Sequence, residues 1–248
     1  MKVDQLTMLP DRIVTDPSIL RQLRRAYWNG RRSPLGGVSI SAKFMLIDVN
    51  ARFRDLQPMK RAVDLICSTD STWNERFENL VKMIVPLRTI GRKARIGGVG
   101  FSTELAKGAV FLSVPRIEDF AAEELSINLA HEMGHQALGI FQAGDRIVAG
   151  DLGTPVYSAV RRTMRPAIHS FHAMVALAYM VEYLSKRIES PTSLSERQVE
   201  FFRRRYAELN ADLNVAVGAL KDLEFTKIGA SLFHECCALA FVTTSVGS

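Results

Sequence analysis

The stretch His131-Glu132-Met133-Gly134-His135 constrains this chain more than any other five residues. Residues four apart share one face of a helix, so a helix from about Glu118 to Gln142 brings both imidazoles to the same side, with Glu132 close by. That is the spacing at which a helix offers two nitrogen ligands to one metal ion, with the glutamate as a neighbouring acid or base. Ile127 and Ala130 supply a buried stripe that carries His131 inward, and Gly134 leaves room near an ion. Two buried imidazoles without a metal would need other partners for their ring nitrogens, which makes the metal the better reading.

The surrounding pattern is mostly helical. Ile19, Leu20, Leu23 and Tyr27 mark an amphipathic helix over Asp16 to Trp28, broken by Gly30 and by Ser33 to Gly37. Ser39 to Asp55 is ambiguous between helix and strand and leans helical, and helices follow over Pro58 to Cys67 and Thr72 to Val85. Between Ile96 and Pro115 the pattern turns to strand: Val99, Phe101 and Thr103 alternate, Glu104 to Gly108 turns, and Ala109 to Val114 is β-rich. An extended peptide can add to the edge of such a hairpin. Beyond loops at Gly144-Asp145 and Gly150 to Pro155, the segment Val156 to Pro166 leads into a helix with Pro166 in its first turn, reaching about Ile188. There Ile168, His172, Val175 and Tyr179 share a stripe, so His172 is expected to face the core. Ser193 to Glu196 reads as a capping box for a helix to about Leu223, and a last helix starts near Lys227. The fold class expected is α+β, mostly helical. It is read as one catalytic domain over 1–248, with a helical N-terminal region over 1–95, a metal-binding core over 96–190 and a helical C-terminal region over 191–248.

Composition narrows the setting. With 248 residues and 47% apolar content, the chain can bury a core of its own. The net charge of +6 and a pI near 9.4 suit an anionic partner, yet the arginines are spread along the chain, so nucleic acid is not expected. Three cysteines, two of them adjacent, make no disulfide framework. Met1 to Arg12 lacks the apolar core of a signal peptide, and Ala173 to Leu184 is too short to span a bilayer. A cytoplasmic protein without a membrane partner is expected, and the oligomeric state stays open.

Two histidines need a third ligand. Position 138 is leucine and position 141 phenylalanine, which excludes the longer HExxHxxGxxH pattern. His172 is the first choice, with His169 and Glu182 left open, while His234 to Cys237 is read as packing on a terminal helix. Three neutral imidazoles leave the metal its full charge and open positions for a bidentate ligand and dioxygen. Arg161, Arg162 and Arg165 then suit the distal carboxylate of an oxo-acid, because a guanidinium fork matches a carboxylate.

The hairpin ending in Gly108 to Ser113, the HEMGH helix, and Tyr157-Ser158-Ala159-Val160-Arg161 running through Arg165-Pro166 to His172 together resemble the HExxH-type 2-oxoglutarate-dependent peptide β-hydroxylases, which tailor ribosomally made peptide natural products. The likeness covers about Gly100 to Leu184, with a weaker echo near Phe225 to Phe233. It does not reach the first hundred residues. It implies His131, His135 and His172 as ligands of Fe(II), and Arg161, Arg165 and Tyr157 as the cosubstrate-binding set. It also implies 2-oxoglutarate and O2 as cosubstrates, a peptide substrate, and a zincin-like fold with the HExxH helix packed beside a small hairpin or sheet. Ala159 stands where that family usually has proline, and Arg162-Thr163-Met164 replaces a more acidic run. The expected activity is hydroxylation at the β-carbon of a peptide residue, with Glu132 accepting a hydrogen bond beside the metal ligands or guiding a proton. The rival is a zinc metallopeptidase in which Glu132 is the general base, and a third possibility is a peptide-binding module with an inactive site.

Overall fold

The computed structural model describes residues 12–28, 45–48, 50, 56–89, 98, 100–103, 106–115, 117, 119–190 and 194–240. In chain order its elements are α1 (Pro17–Trp28), β1 (Met45–Ile47), α2 (Gln57–Cys67), α3 (Ser71–Leu80), β2 (Met83–Thr89), β3 (Gly100–Ser102), β4 (Ala109–Ser113), α4 (Ala121–Gly144), β5 (Pro155–Ser158), β6 (Thr163–Pro166), α5 (Ala167–Glu189), α6 (Glu196–Leu220) and α7 (Lys227–Ala240). The protein is therefore mostly helical with a small sheet. It divides into two compact units, residues 1–129 and 130–248, and the division falls inside α4.

In the first unit, Pro86 decides where helix gives way to sheet. The residue before a proline avoids the helical region, so a helix cannot run on to Val85 as the apolar spacing suggests. α3 instead stops at Leu80, the chain extends at Val81 (φ −110°, ψ 112°), and β2 begins at Met83. Asp70 caps the start of α3, its carboxylate accepting the Trp73 N–H at 2.8 Å. The sheet order is β1-β2-β4-β3, with β2 and β4 parallel and each outer strand antiparallel to its neighbour. β4 is buried along its whole length, as a central strand covered on both faces should be. Gly108 makes the turn into β4: its φ is +81°, and a side chain there would run into Lys82. Leu20, Ile47, Val85, Leu87, Ala109 and Phe111 form the core, with Phe101 stacked on Phe111 at 4.5 Å.

The expected 96–115 hairpin is present as β3 and β4. The helical leaning of Ser39 to Asp55 fails at Met45–Ile47, which pairs with β2 as an outer strand. Most of the rest of that stretch, the breaks between Gly30 and Gly37, and Ile96, Val99 and Glu104 lie outside the described residues.

The second unit holds α4 from Ala130, the two-stranded β5–β6 hairpin, and α5 to α7. The segment Val156 to Pro166, read from the sequence only as leading into a helix, forms this hairpin: Val156 pairs with Arg165, Tyr157 with Met164 and Ser158 with Thr163. Pro166 ends the second strand and is the N-cap of α5 rather than a member of its first turn. α5 is buried on nearly every side, from Ala167 through Ser170, Phe171 and Met174 to Leu184, and packs on α6 through the Tyr183–Phe202 ring contact. The capping box of α6 is formed by Ser195 and Gln198, two residues beyond the Ser193–Glu196 pair that the sequence suggests. α7 opens where Thr226 caps the Gly229 N–H at 3.1 Å, and a side chain at Gly229 would collide with the Ile147 carbonyl. Among the described residues, no helix is long and apolar enough to cross a membrane.

Candidate metal centre

Helical spacing alone brings His131 and His135 together on α4, and their Nε2 atoms lie 3.1 Å apart with the rings edge to face. A cation about 2.0–2.1 Å from each nitrogen, at an angle between square and tetrahedral, sets two such atoms about 2.8–3.4 Å apart. The pair therefore fits a shared metal ion. Both rings are held neutral, the form of imidazole that can ligate a metal at neutral pH. Burial pushes His131 down to about 4, with the nearby Arg161 guanidinium adding to the effect. Burial also pushes His135 down to about 3, helped by His131 and His172.

His172 comes from α5, and its ring centroid lies 5.8 Å from that of His135. Burial lowers its pKa to about 4, with a contribution from His169. It does not face the core as its stripe suggests. The core face of α5 is carried by Phe171, Met174 and Ala178, leaving His172 half-buried beside α4. Among the described residues, no three His, Cys, Asp or Glu side chains converge at metal-ligand spacing. What the fold sets is the α4 pair, with His172 next to it. Glu182, the carboxylate alternative, is ten positions along α5, about 15 Å up the helix axis from His172.

Gly134 has a different task from the one its place in the motif suggests. A β-carbon there would meet the Cα of Ala176 at 3.1 Å and the Cβ of Tyr179 at 3.2 Å, so the glycine lets α4 and α5 approach closely. That approach is what brings His172 up to His135. Glu132 is buried, and its Oε1 lies 4.0 Å from His131 Nε2, the nitrogen that approaches His135.

These histidines open onto a cavity of about 220 Å³ lined by His131, His135, Val160, Arg161, Arg165, His169, His172 and Ala173. Among the described residues, no carboxylate lines it. Its positive charge comes from the guanidinium groups of Arg161 and Arg165, and its volume is below the roughly 300–1,000 Å³ common for drug-sized ligands. Arg165 reaches it from the inward face of the hairpin, as Val156 opposite it is buried, and Arg161 from the turn. Tyr157 is not among the lining residues: it pairs with Met164 on the outward face and is exposed. Arg162, at φ +52° in the same turn, does not line the cavity either. His169, Val160 and Ala173 are lining residues that sequence reasoning missed or set aside. Recognition of the β5–β6 hairpin would have found Val160, since it lies in the turn beside Arg161. The fifth histidine, His234, is exposed on α7.

Comparison with protein-family models finds no match to this chain, and comparison with curated proteins finds none either.

Proposed function

We propose that this protein is an Fe(II)- and 2-oxoglutarate-dependent oxygenase that hydroxylates the β-carbon of a residue in a ribosomally made peptide, on a zincin-like scaffold. The observation that carries the reading is the cavity itself: a neutral histidine pair spaced for a metal opens onto a small space with two arginines and, among the described residues, no carboxylate in its lining. His131, His135 and His172 would hold the metal. When bound, iron and its cosubstrates supply the oxidation, one oxygen atom of O2 going to the peptide carbon and the other to the oxo-acid, which leaves as succinate and CO2. The chain's own contribution is placement. Arg165 and Arg161 bind and orient a dicarboxylate by charge-assisted hydrogen bonds. Val160 and Ala173 supply the apolar portion of the wall. The cavity is too small for a length of peptide, so the peptide backbone stays outside and presents one side chain inward. The outer, antiparallel strand β3 gives the zincin-like comparison its support in the first unit.

A second reading has one observation in its favour. Glu132 sits 4.0 Å from the metal-facing nitrogen of His131, where a zinc peptidase would keep its general base. Protein purified without oxygen and incubated with Fe(II), 2-oxoglutarate, air and candidate peptides separates the two. Formation of succinate and a peptide heavier by one oxygen atom is the expected result. Peptide cleavage with zinc, needing neither oxo-acid nor air, would overturn it in favour of the hydrolase.

A further inference from the structure

The β5–β6 hairpin has two unlike faces. Val156, Ser158 and Arg165 turn inward, the first two buried and the third on the cavity. Tyr157 and Met164 are directly opposed on the outward face, 39% and 58% exposed, and Val160 in the turn is 42% exposed while also lining the cavity. An apolar strip thus runs along the hairpin to the cavity mouth. Large apolar side chains side by side at a surface mark a contact with something else. β6 pairs with no strand but β5 among the described residues, which leaves an edge available for an added strand. The hairpin itself carries charge of one sign. No acidic residue occurs between Asp151 and Glu182, while Arg161, Arg162 and Arg165 lie in the hairpin.

We infer that the outward face and free edge of β5–β6 form the docking site for an extended peptide in which apolar and acidic residues alternate, with the apolar ones against Tyr157 and Met164. The acidic ones pair with the exposed Arg162 of the turn, and the peptide passes Val160 at the cavity mouth, turning one side chain inward. This assigns a substrate class to the proposed oxygenase and rests on that reading only in taking the docked peptide as the substrate.

The test uses two short fluorescent peptides, one alternating phenylalanine with glutamate and the other phenylalanine with lysine, titrated with the full chain. The glutamate peptide is expected to bind at least about tenfold more tightly, with an affinity that falls as salt rises. Met164→Ser should weaken it about tenfold while Zn(II) uptake stays as in the parent protein, which shows the metal centre intact. Arg162→Asn, which keeps a residue tolerant of the left-handed backbone, should weaken it and flatten its salt dependence. Equal binding of the two peptides, no binding of either, or full binding by Met164→Ser would overturn the docking site. So would an oligonucleotide that displaces the glutamate peptide through the same residues at comparable concentration. Succinate formation with no peptide binding would sink the docking site and leave the oxygenase standing, whereas peptide binding without any oxo-acid turnover does the reverse.

Discussion

A histidine that stays unprotonated down to about pH 4 serves better as a metal ligand than as a proton donor at neutral pH, and His131, His135 and His172 are all of this kind. His131→Ala or His135→Ala is expected to abolish stoichiometric binding of Zn(II) or Fe(II), measured by metal analysis after dialysis. His172→Ala should weaken it by roughly ten- to a hundredfold rather than abolish it, because the α4 pair is set without it. The same shifts give the metal-free protein a pH dependence. An unfolded histidine takes a proton near its ordinary value of 6.5, and the folded ones do so only near 3 to 4. Between those limits the unfolded state binds more protons, so stability is fully present above about pH 6.5 and is lost as pH falls toward 4. Urea midpoints of metal-free protein should therefore drop between neutral pH and pH 5, and His135→Leu should make that drop shallower. An unchanged slope would contradict burial as the cause. At this scale the sequence tells a good deal, since the α4 pair depends only on the four-residue repeat of a helix. It misplaces Tyr157 because the face of a strand residue depends on which strand pairs with it, and His172 because a stripe says which side of a helix is apolar without saying what fills that side.

The elements legible in the sequence are those whose signals are local. α4, α5, α6 and α7 begin or end within a few residues of where caps and apolar spacing put them, whereas β2 and the β5–β6 hairpin are hidden from such signals. β2 is a central strand covered on both faces, so its apolar run has no alternation to separate it from a helix, and only Pro86 gives it away. The hairpin is flanked by prolines and carries arginines, features that read as loop until Val156 is seen opposite Arg165. Packing between elements is equally invisible to periodicity, and Gly134 shows its weight. Because a β-carbon there already crowds the backbone of Ala176, Gly134→Val is expected to cost about 1–3 kcal/mol by forcing α4 from α5. It should lower metal affinity in the same protein, as His172 moves away from His135. A denaturant titration alongside metal analysis checks both, and a stable variant with full metal affinity would show that the close approach is not what seats His172. Ser195→Ala, by contrast, removes only the cap of α6 and should cost about 1 kcal/mol with metal binding untouched.

At the scale of the whole molecule, every residue proposed to hold metal or cosubstrate belongs to the second unit. The first unit has its own core around Val85 and Phe111 and contributes none of them. α4 belongs to both, its first nine residues to one unit and the remainder, beginning just before His131, to the other. A ligand stabilises the segments that must be folded to bind it, by about 2.7 kcal/mol when its concentration is a hundred times its dissociation constant. Zn(II), a redox-inert substitute for iron, is therefore expected to slow amide hydrogen exchange chiefly in residues 130–144, in β5–β6 and in the first half of α5. Exchange in β2 and β4 should change far less, because their opening leaves the ligands in place. Mass-spectrometric exchange with and without Zn(II) measures this segment by segment. Equal protection of β2, β4 and the metal-binding segments would show instead that the two units open as one, and that the division inside α4 has no energetic counterpart.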